Sequence, residues 1–293
     1  SMDRTADRVM MEWVLVRTIR RVRAALTYAR RELSLRPTPA IATGEASNPG
    51  QTAGLRTRFK QIKHRESRMI KLHGFSASNY YNVPKLALLE KGIEFTEVLS
   101  YTGVGPKYKP EYLDKSPLGK VPALETPDGY ISESRAILDY IERAHPTPPL
   151  LPESPFGAAK VQELAQFIEL YFELAARRMI PNLLGGTDPD PAVLQEFATN
   201  ISKATVALAK LSSFESFAYG DQFTVADIAA ILNLPVVRSV GKKFLGEDPL
   251  SAVPGLDSYC ERMEQRPHVK TIRADSAADQ AGFMAHLKQL YGI

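Results

Sequence analysis

Ser116-Pro-Leu-Gly-Lys-Val-Pro-Ala-Leu124, together with Ile131-Ser-Glu-Ser-Arg-Ala-Ile137 shortly after it, is the stretch of sequence that decides the fold. A Val-Pro pair interrupts an apolar run, Asp128-Gly129 has the composition of a tight turn, and Ser-Glu-Ser opens a helical pattern. The sequence therefore predicts a rigid X-Pro bend, an exposed backbone edge and a helix N-terminus side by side. These parts can hold a short anionic peptide, because strand edges and helix N-termini offer backbone hydrogen-bond donors.

Length and composition indicate a globular protein of about two domains. The chain has 293 residues, of which 44% are hydrophobic and 24% charged, so a sizeable core can form. No apolar run approaches the roughly 20 residues that a membrane helix needs, and we expect no membrane insertion of the folded body. The single cysteine, Cys260, excludes an internal disulfide framework and suits a reducing compartment. We therefore expect a cytoplasmic protein.

The net positive charge of the chain comes from its first 68 residues. That segment holds 15 Lys and Arg against 6 Asp and Glu, whereas the rest holds 22 against 27. The body of the protein is therefore mildly acidic. This removes the main reason to expect nucleic-acid binding by the folded part.

Residues 1–68 form a basic leader that we treat separately. Apolar residues recur among arginines at helical spacing, which predicts a basic amphipathic helix: Leu15, Ile19, Val22 and Leu26. Residues 37–54 have the composition of a loose linker, and Ser1-Met2 resembles an expression-vector remnant. We interpret the leader as a disordered arm or a non-native extension before a natural start at Met69, with membrane-surface attachment or organelle targeting as alternatives.

From Met69 onward the elements follow the order βαβαββα, which is the thioredoxin-like plan. The predicted elements are a strand at 70–73, a helix at 83–91 ended by Gly92, a strand at 94–99, a short helix near 111–115, a hairpin of 121–125 with 130–131, and a helix at 132–145. We assign residues 69–145 to this domain. The proline-rich segment 146–155 is the predicted linker to a second domain.

The second domain, residues 156–293, is predicted to be all-helical. Its first long helix carries two apolar stripes, one of Val161, Leu164, Ala165, Ile168, Phe172, Ala175 and Met179, the other of Phe167, Leu170, Tyr171 and Leu174. Two such stripes indicate burial on two sides, against the domain itself and against a partner subunit, or else a central helix of a monomer. Further along, Thr224-Val-Ala-Asp227 predicts a capping box at the start of a buried helix.

The segments quoted first resemble the glutathione S-transferases, in which this pairing marks the glutathione pocket. The resemblance extends over about residues 69–293, and we identify the chain as a serine-type member similar to the theta and zeta classes. It implies a cytosolic homodimer in which the first domain binds and ionises glutathione. The glutathione sulfur would then attack a small hydrophobic electrophile held against the helical domain, a chemistry used in detoxification.

The resemblance also implies how glutathione is bound. Ser134 and nearby helix amides would hold the γ-glutamyl carboxylate, and Glu133 would face the ammonium group. The bond between Val121 and Pro122 should be cis, which turns the Val121 backbone towards the ligand. Lys120 and Lys109 are expected to meet the glycyl carboxylate. The full set of expected glutathione-binding residues is therefore Lys109, Lys120, Val121, Pro122, Glu133 and Ser134.

The residue that activates the thiol should lie between the first strand and the first helix. Counted back from Lys91-Gly92, Ser78 falls where serine-type members carry their catalytic hydroxyl, and the alternatives are Asn79, Tyr80 and Tyr81. Pro84 lacks an N–H and fits only the first turn of a helix, so we expect the helix to begin no earlier than about Tyr81.

No metal is needed for this activation. Lowering a thiol pKa by about two units requires roughly 2.7 kcal/mol, and one hydrogen bond to a charged group supplies about 1.5–3 kcal/mol. A helix N-terminus adds typically about 0.3–1 kcal/mol. The five histidines show no paired spacing, and we expect glutathione as co-substrate without a metal.

Two other functional classes remain open at this point. One is a binding or scaffold protein that keeps the fold without turnover. The other is a glutathione-dependent isomerase or dehalogenase that uses the same pocket. The sequence separates these poorly, because the electrophile site is built from variable apolar residues.

Overall fold

The computed structural model describes residues 70–102 and 110–291, which belong to one compact unit. The predicted leader, Met69 and the candidate ligand residue Lys109 lie outside the described residues.

A four-stranded mixed sheet forms the first half of the described chain. Its strands are β1 (Ile70–Gly74), β2 (Phe95–Leu99), β3 (Ala123–Thr126) and β4 (Gly129–Ser132), in the order β2-β1-β3-β4. β1 runs parallel to β2 and antiparallel to β3, and β3 and β4 form an antiparallel hairpin. Ala123 pairs with Ser132, so the start of β3 lies beside the end of β4 and hence beside the helix that follows it.

Two helices pack with this sheet: α1 (Asn79–Glu90) and α2 (Ser134–Ala144). Gly92 follows α1 with a φ of 63°, as expected of a glycine that ends a helix. The helix expected near residue 111 is a 3-10 turn at Pro110–Tyr112. The predicted thioredoxin-like order of elements is otherwise observed.

The second half of the described chain is entirely helical, as predicted. It comprises α3 (Pro155–Phe167), a π-helical segment (Ile168–Glu173), α4 (Leu174–Arg177), α5 (Ile180–Gly185), α6 (Pro191–Leu211), α7 (Val225–Phe244), α8 (Leu256–Glu264) and α9 (Pro267–Tyr291). α7 is the central helix of this half and is buried along most of its length. It packs against α3, the π-helical segment and α1. The helical half therefore rests directly on the helix that follows Ser78.

The start of α1 differs from the prediction. The helix begins at Asn79 with Ser78 as its N-cap, so Pro84 lies in the second turn and not in the first. Because proline has no N–H, it cannot donate to the carbonyl of Tyr80, four residues earlier. The hydroxyl of Ser134 donates to that carbonyl instead, at 3.0 Å. A donor from α2 thus replaces the missing helical hydrogen bond.

The predicted capping box is present at the start of α7. Thr224 is the N-cap, and its backbone N–H and its hydroxyl both donate to Asp227 Oδ2, at 2.8 and 3.1 Å. Asp227 Oδ1 accepts two more hydrogen bonds, from the N–H of Ala218 and the hydroxyl of Tyr259. Asp227 is fully buried, so its carboxylate joins three segments of the helical half.

Asp227→Ala should lower the free energy of unfolding by about 3–5 kcal/mol, because it leaves several buried donors without an acceptor. Asp190→Ala is the matched control, since Asp190 also caps a helix but is exposed and its side chain, within the described part of the chain, accepts from Ala192 N–H alone. Its loss should be about 0.5–2 kcal/mol. Urea denaturation of both variants measures the difference, and equal losses would contradict a special role for Asp227.

Candidate functional site

The N-terminus of α2 has the geometry expected of a ligand-binding helix end. Ser134 is the first residue of the helix and is buried. Glu133 before it has a φ of 69° and a ψ of 118°, a backbone conformation that is unfavourable for a residue with a Cβ. Such conformations persist where the surrounding structure holds them in place, and they cluster at functional sites.

The segment before β3 lies beside this helix end. The bond between Val121 and Pro122 is cis, as the resemblance implied. Pro122 is buried, Val121 is partly buried and Lys120 is exposed. Since Ala123 pairs with Ser132, the backbone of Val121 lies close to the N-terminus of α2. The structure therefore brings these candidates together on one edge of the sheet.

Ser78 stands at the N-terminus of α1, at the end of the loop of residues 75–78, here called the β1–α1 loop. Its Oγ accepts a hydrogen bond from Tyr81 N–H at 3.4 Å, and the residue is partly buried. Within residues 70–102 and 110–291, no group accepts the proton of this hydroxyl. The hydroxyl can therefore donate to a ligand while its oxygen still caps the helix.

Asn79 and Tyr80 face the helical half and meet a buried carboxylate there. Tyr80 donates its hydroxyl to Glu173 Oε2 at 2.5 Å, and Asn79 Nδ2 donates to Glu173 Oε1 at 3.1 Å and to Asn233 Oδ1 at 2.9 Å. Arg177 forms a salt bridge with Glu173 and donates to Asn79 Oδ1 at 2.5 Å. We call these five residues the Glu173 network.

The two tyrosine hydroxyls are both bound to carboxylates. Tyr81 is only 1% exposed and donates to Glu97 Oε2 at 2.7 Å. Burial, reinforced by the adjacent carboxylates of Glu173 and Glu97, raises the pKa of Tyr80 and of Tyr81 well above the ordinary value for a phenol. Both phenols therefore stay protonated and donate within the protein. Among the four candidates for thiol activation, Ser78 is the one whose hydroxyl has no acceptor within the described residues and can donate to a ligand.

The sequence interpretation missed Glu173, Arg177 and Asn233. Glu173 ends the π-helical segment and directly follows the fully buried Phe172 in an apolar stretch. Although its side chain is a carboxylate, it is 0% exposed. A carboxylate in such a stretch, four residues before an arginine, is the signal that was available. π-helical segments are rare and occur frequently at functional sites.

A small cavity lies between α1, α2 and the helical half. It is bordered by the side chains of Tyr80, Ser134, Arg135, Glu169 and Asn233 among others. Burial raises the pKa of Glu169, while the nearby Arg135 guanidinium opposes the shift. No cluster of three or more potential metal-ligating side chains occurs in the described part of the chain.

Comparison with known proteins decides the family. The model of the glutathione S-transferase N-terminal domain matches residues 72–149. A glutathione S-transferase of Pseudomonas putida is 40% identical over 220 residues, which cover 75% of this chain and 98% of the relative. The chain belongs to the glutathione S-transferase family. The predicted family, fold class and assignment as a glutathione transferase are thereby confirmed.

Two solved structures share the fold, and a further relative is similar in sequence. A glutathione S-transferase of Methylobacterium radiotolerans, solved with glutathione sulfonate, has 27% identity and a TM-score of 0.56 over 68% of this chain and 92% of its own. A bacterial zeta-class maleyl pyruvate isomerase has 26% identity and a TM-score of 0.57 over 71% and 97%. A probable elongation factor 1-gamma of Arabidopsis thaliana is 28% identical over 72% of this chain but only 50% of its own length.

None of the described helices combines the length and the apolar character needed to cross a membrane.

The contact between Ser134 and the Tyr80 carbonyl can be tested by a double-mutant cycle. Ser134→Ala should lower the free energy of unfolding by about 1–3 kcal/mol, because it leaves that carbonyl without a donor. In the Pro84→Ala background, residue 84 regains an N–H that can donate to the same carbonyl, so the loss should fall below about 1 kcal/mol. Urea denaturation of the four proteins measures both values. Equal losses in the two backgrounds would show that Ser134 does not substitute for the missing helical bond.

Proposed function

We propose that this protein binds glutathione between the N-termini of α1 and α2 and ionises its thiol for attack on a small hydrophobic electrophile. In this proposal residues 69–145 form the glutathione-binding domain, residues 146–155 the linker, and residues 156–293 the helical domain that holds the electrophile. One observation carries the proposal: Ser78 is the candidate whose hydroxyl proton is not accepted by another described residue, and it stands at a helix N-terminus.

The role of Ser78 follows from the energetics of the thiol. A free thiol with a pKa of about 8.5 is only a few per cent thiolate at neutral pH. A hydrogen bond from the Ser78 hydroxyl and the positive end of α1 both favour the anion. The thiol proton leaves to solvent, the sulfur lone pair forms a bond to carbon, and the leaving group departs with its electron pair.

The rest of the tripeptide is held by the edge of the sheet and by α2. The amides at the start of α2 and Ser134 face the γ-glutamyl carboxylate, and Glu133 faces the ammonium group. The backbone of Val121, set by Pro122, pairs with the cysteinyl unit. Lys120 is exposed at the same edge and meets the glycyl carboxylate, with Lys109 as a second candidate.

The electrophile is expected to be small and hydrophobic because aromatic side chains border the β1–α1 loop. Phe75, at the start of the loop, stacks on Phe283 of α9 with ring centroids 4.9 Å apart, and Tyr101 lies 5.3 Å from Phe75. Phe283 and Tyr101 are partly buried. Together with Phe75, which lies three residues before Ser78, they offer an apolar wall beside the β1–α1 loop. As the sole cysteine, Cys260 is compatible with a cytoplasmic enzyme, and we propose that location and a role in detoxification.

Calorimetric titration of the full-length protein with glutathione tests the pocket. We expect saturable binding that weakens at least about tenfold in Ser134→Ala, because that variant loses the hydroxyl whose single proton, donated to the Tyr80 carbonyl, would turn to the γ-glutamyl carboxylate on binding. The Ser134→Ala, Pro84→Ala double variant regains a donor for the Tyr80 carbonyl but lacks the Ser134 hydroxyl, so it should bind as weakly as Ser134→Ala. Normal binding by the double variant would show that Ser134 acts only on stability.

Ser78→Ala should leave glutathione affinity within about twofold but raise the pKa of the bound thiol by about one to two units, because it removes a hydrogen bond to the thiolate. Ultraviolet absorbance of the thiolate against pH measures this pKa. Ser76→Ala is the control in the same loop, since among the described residues the Ser76 hydroxyl accepts from Lys85 alone. An unchanged thiol pKa in Ser78→Ala would reject Ser78 and favour Asn79, Tyr80 or Tyr81.

Two alternatives have a specific relative in their support. The likeness to the zeta-class isomerase favours a glutathione-dependent isomerase, which would show a lowered thiol pKa without conjugation activity. The likeness to elongation factor 1-gamma favours a binding or scaffold protein, which would show an intact fold without a lowered thiol pKa. The two titrations above therefore distinguish the scaffold from the two enzymes, and an assay of glutathione conjugation distinguishes the transferase from the isomerase.

We also propose that the protein is a homodimer through the second apolar stripe of the long helix. The first stripe is buried in the helical half except for the partly buried Ala175, whereas Leu170, Tyr171 and Leu174 are 45%, 56% and 51% exposed. A second copy covering this surface would remove a large apolar patch from water.

Tyr171→Glu should convert the protein from a dimer to a monomer, because it places a charge in the apolar interface. Sedimentation equilibrium measures the mass, which is 32.5 kDa for one chain. Val206→Glu is the control, since Val206 is 62% exposed but lies on α6. A monomeric wild-type protein, or dissociation by Val206→Glu alone, would contradict the proposed interface.

A further inference from the structure

The C-terminal helix α9 is bound to the β1–α1 loop by a carboxylate. The backbone N–H of Ala77 donates to Asp279 Oδ2 at 2.9 Å, across 202 residues of sequence. The hydroxyl of Tyr101, just after β2, donates to the other oxygen of the same carboxylate. Asp279 therefore fixes the backbone immediately before Ser78 and the segment that follows β2 with one side chain.

Ring stacking holds the same helix against the same loop. Phe75 stacks on Phe283 with an interplanar angle of 19°, and Tyr101 stacks on His286 with ring centroids 5.2 Å apart. A Cβ at Gly282 would lie 2.5 Å from the Tyr101 hydroxyl oxygen. The close approach of Tyr101 to α9, which brings its hydroxyl to Asp279, therefore requires a glycine at this position.

A salt bridge from a buried lysine to a half-exposed carboxylate anchors α9 one helical turn before Asp279. Lys85 is 2% exposed and forms salt bridges of 2.7 Å with both Asp275 and Glu97. Asp275 and Asp279 are four residues apart and thus lie on one face of the helix. This face is directed at α1 and at the loop before it.

Ser78 is consequently held on both sides by the helical half. Ala77 before it is bound by Asp279, and Asn79 after it is bound by Glu173 and Asn233. The position of the Ser78 hydroxyl depends on these neighbours, because a serine side chain has only one rotatable bond before its oxygen. A small displacement of the loop would move the donor away from a bound sulfur.

We propose that Asp279 is a positioning residue that aligns the Ser78 hydroxyl with the glutathione sulfur. The inference rests on the proposed function, because it assumes that Ser78 activates the thiol. Asp279 acts through the backbone of Ala77 and does not itself touch the ligand. The helical domain would thus contribute to thiol activation as well as to electrophile binding.

Three variants of the full-length protein show whether Asp279 acts through its hydrogen bonds or through its negative charge. Asp279→Ala removes both acceptor oxygens and should raise the bound-thiol pKa towards the Ser78→Ala value, and lower kcat by about tenfold or more while KM for glutathione stays within twofold. Asp279→Asn should restore most of the activity, because its amide oxygen can accept from Ala77 and its NH₂ can donate to Tyr101. Glu264→Ala removes an attachment of α9 to α8, the ion pair with Arg273, and should leave the thiol pKa unchanged.

A double variant decides whether Asp279 acts through Ser78. In the Ser78→Ala background, Asp279→Ala should produce no further rise in thiol pKa and little further loss of kcat. Additive effects, or an unchanged thiol pKa in Asp279→Ala, would overturn the inference while leaving the role of Ser78 intact. Failure of the wild-type protein to bind glutathione, or an unaltered thiol pKa in Ser78→Ala, would instead reject the proposed function and the inference with it.

Discussion

The carboxylate of Glu173 is the constraint around which the candidate site is organised. A buried carboxylate persists only where enough donors surround it, because its transfer from water is otherwise unfavourable by several kcal/mol. Glu173 obtains these donors from Tyr80, Asn79 and Arg177. Two of the three lie in the first turn of α1, so satisfying the charge also fixes the helix that begins after Ser78. Charge burial in one half of the chain thereby determines the geometry of the other half.

The same helix depends on a second long-range contact, at the carbonyl of Tyr80. Pro84 leaves that carbonyl without its helical partner, and the Ser134 hydroxyl fills the gap. The N-termini of α1 and α2 are therefore tied together by one hydrogen bond. This bond brings the two helix ends into one region, where their combined N–H groups and positive potential can act on the same anion.

Local features of the fold could be predicted from the sequence because they depend on neighbouring residues. The capping box of Thr224 and Asp227, the turn after Gly92 and the strands near the cis bond all follow from patterns a few residues long. The start of α1 was predicted wrongly because the rule for Pro84 considers only donors within the helix. Its replacement donor lies 54 residues away in sequence from the carbonyl it serves. Glu173 and Asp279 reach the β1–α1 region over 93 to 202 residues, and no local pattern encodes such contacts.

Pro84 in α1 has an evolutionary consequence for Ser134, whose hydroxyl replaces the hydrogen-bond donor that the proline lacks. Because the hydroxyl at position 134 satisfies a backbone carbonyl of another helix, the cost of a substitution at either of these two positions, fifty residues apart in sequence, depends on the residue at the other. A descendant that abandoned its ligand would still lose stability on replacing the hydroxyl at position 134 for as long as it retained proline at position 84. Persistence of that serine in a relative is therefore, taken alone, no sign that the relative still binds anything.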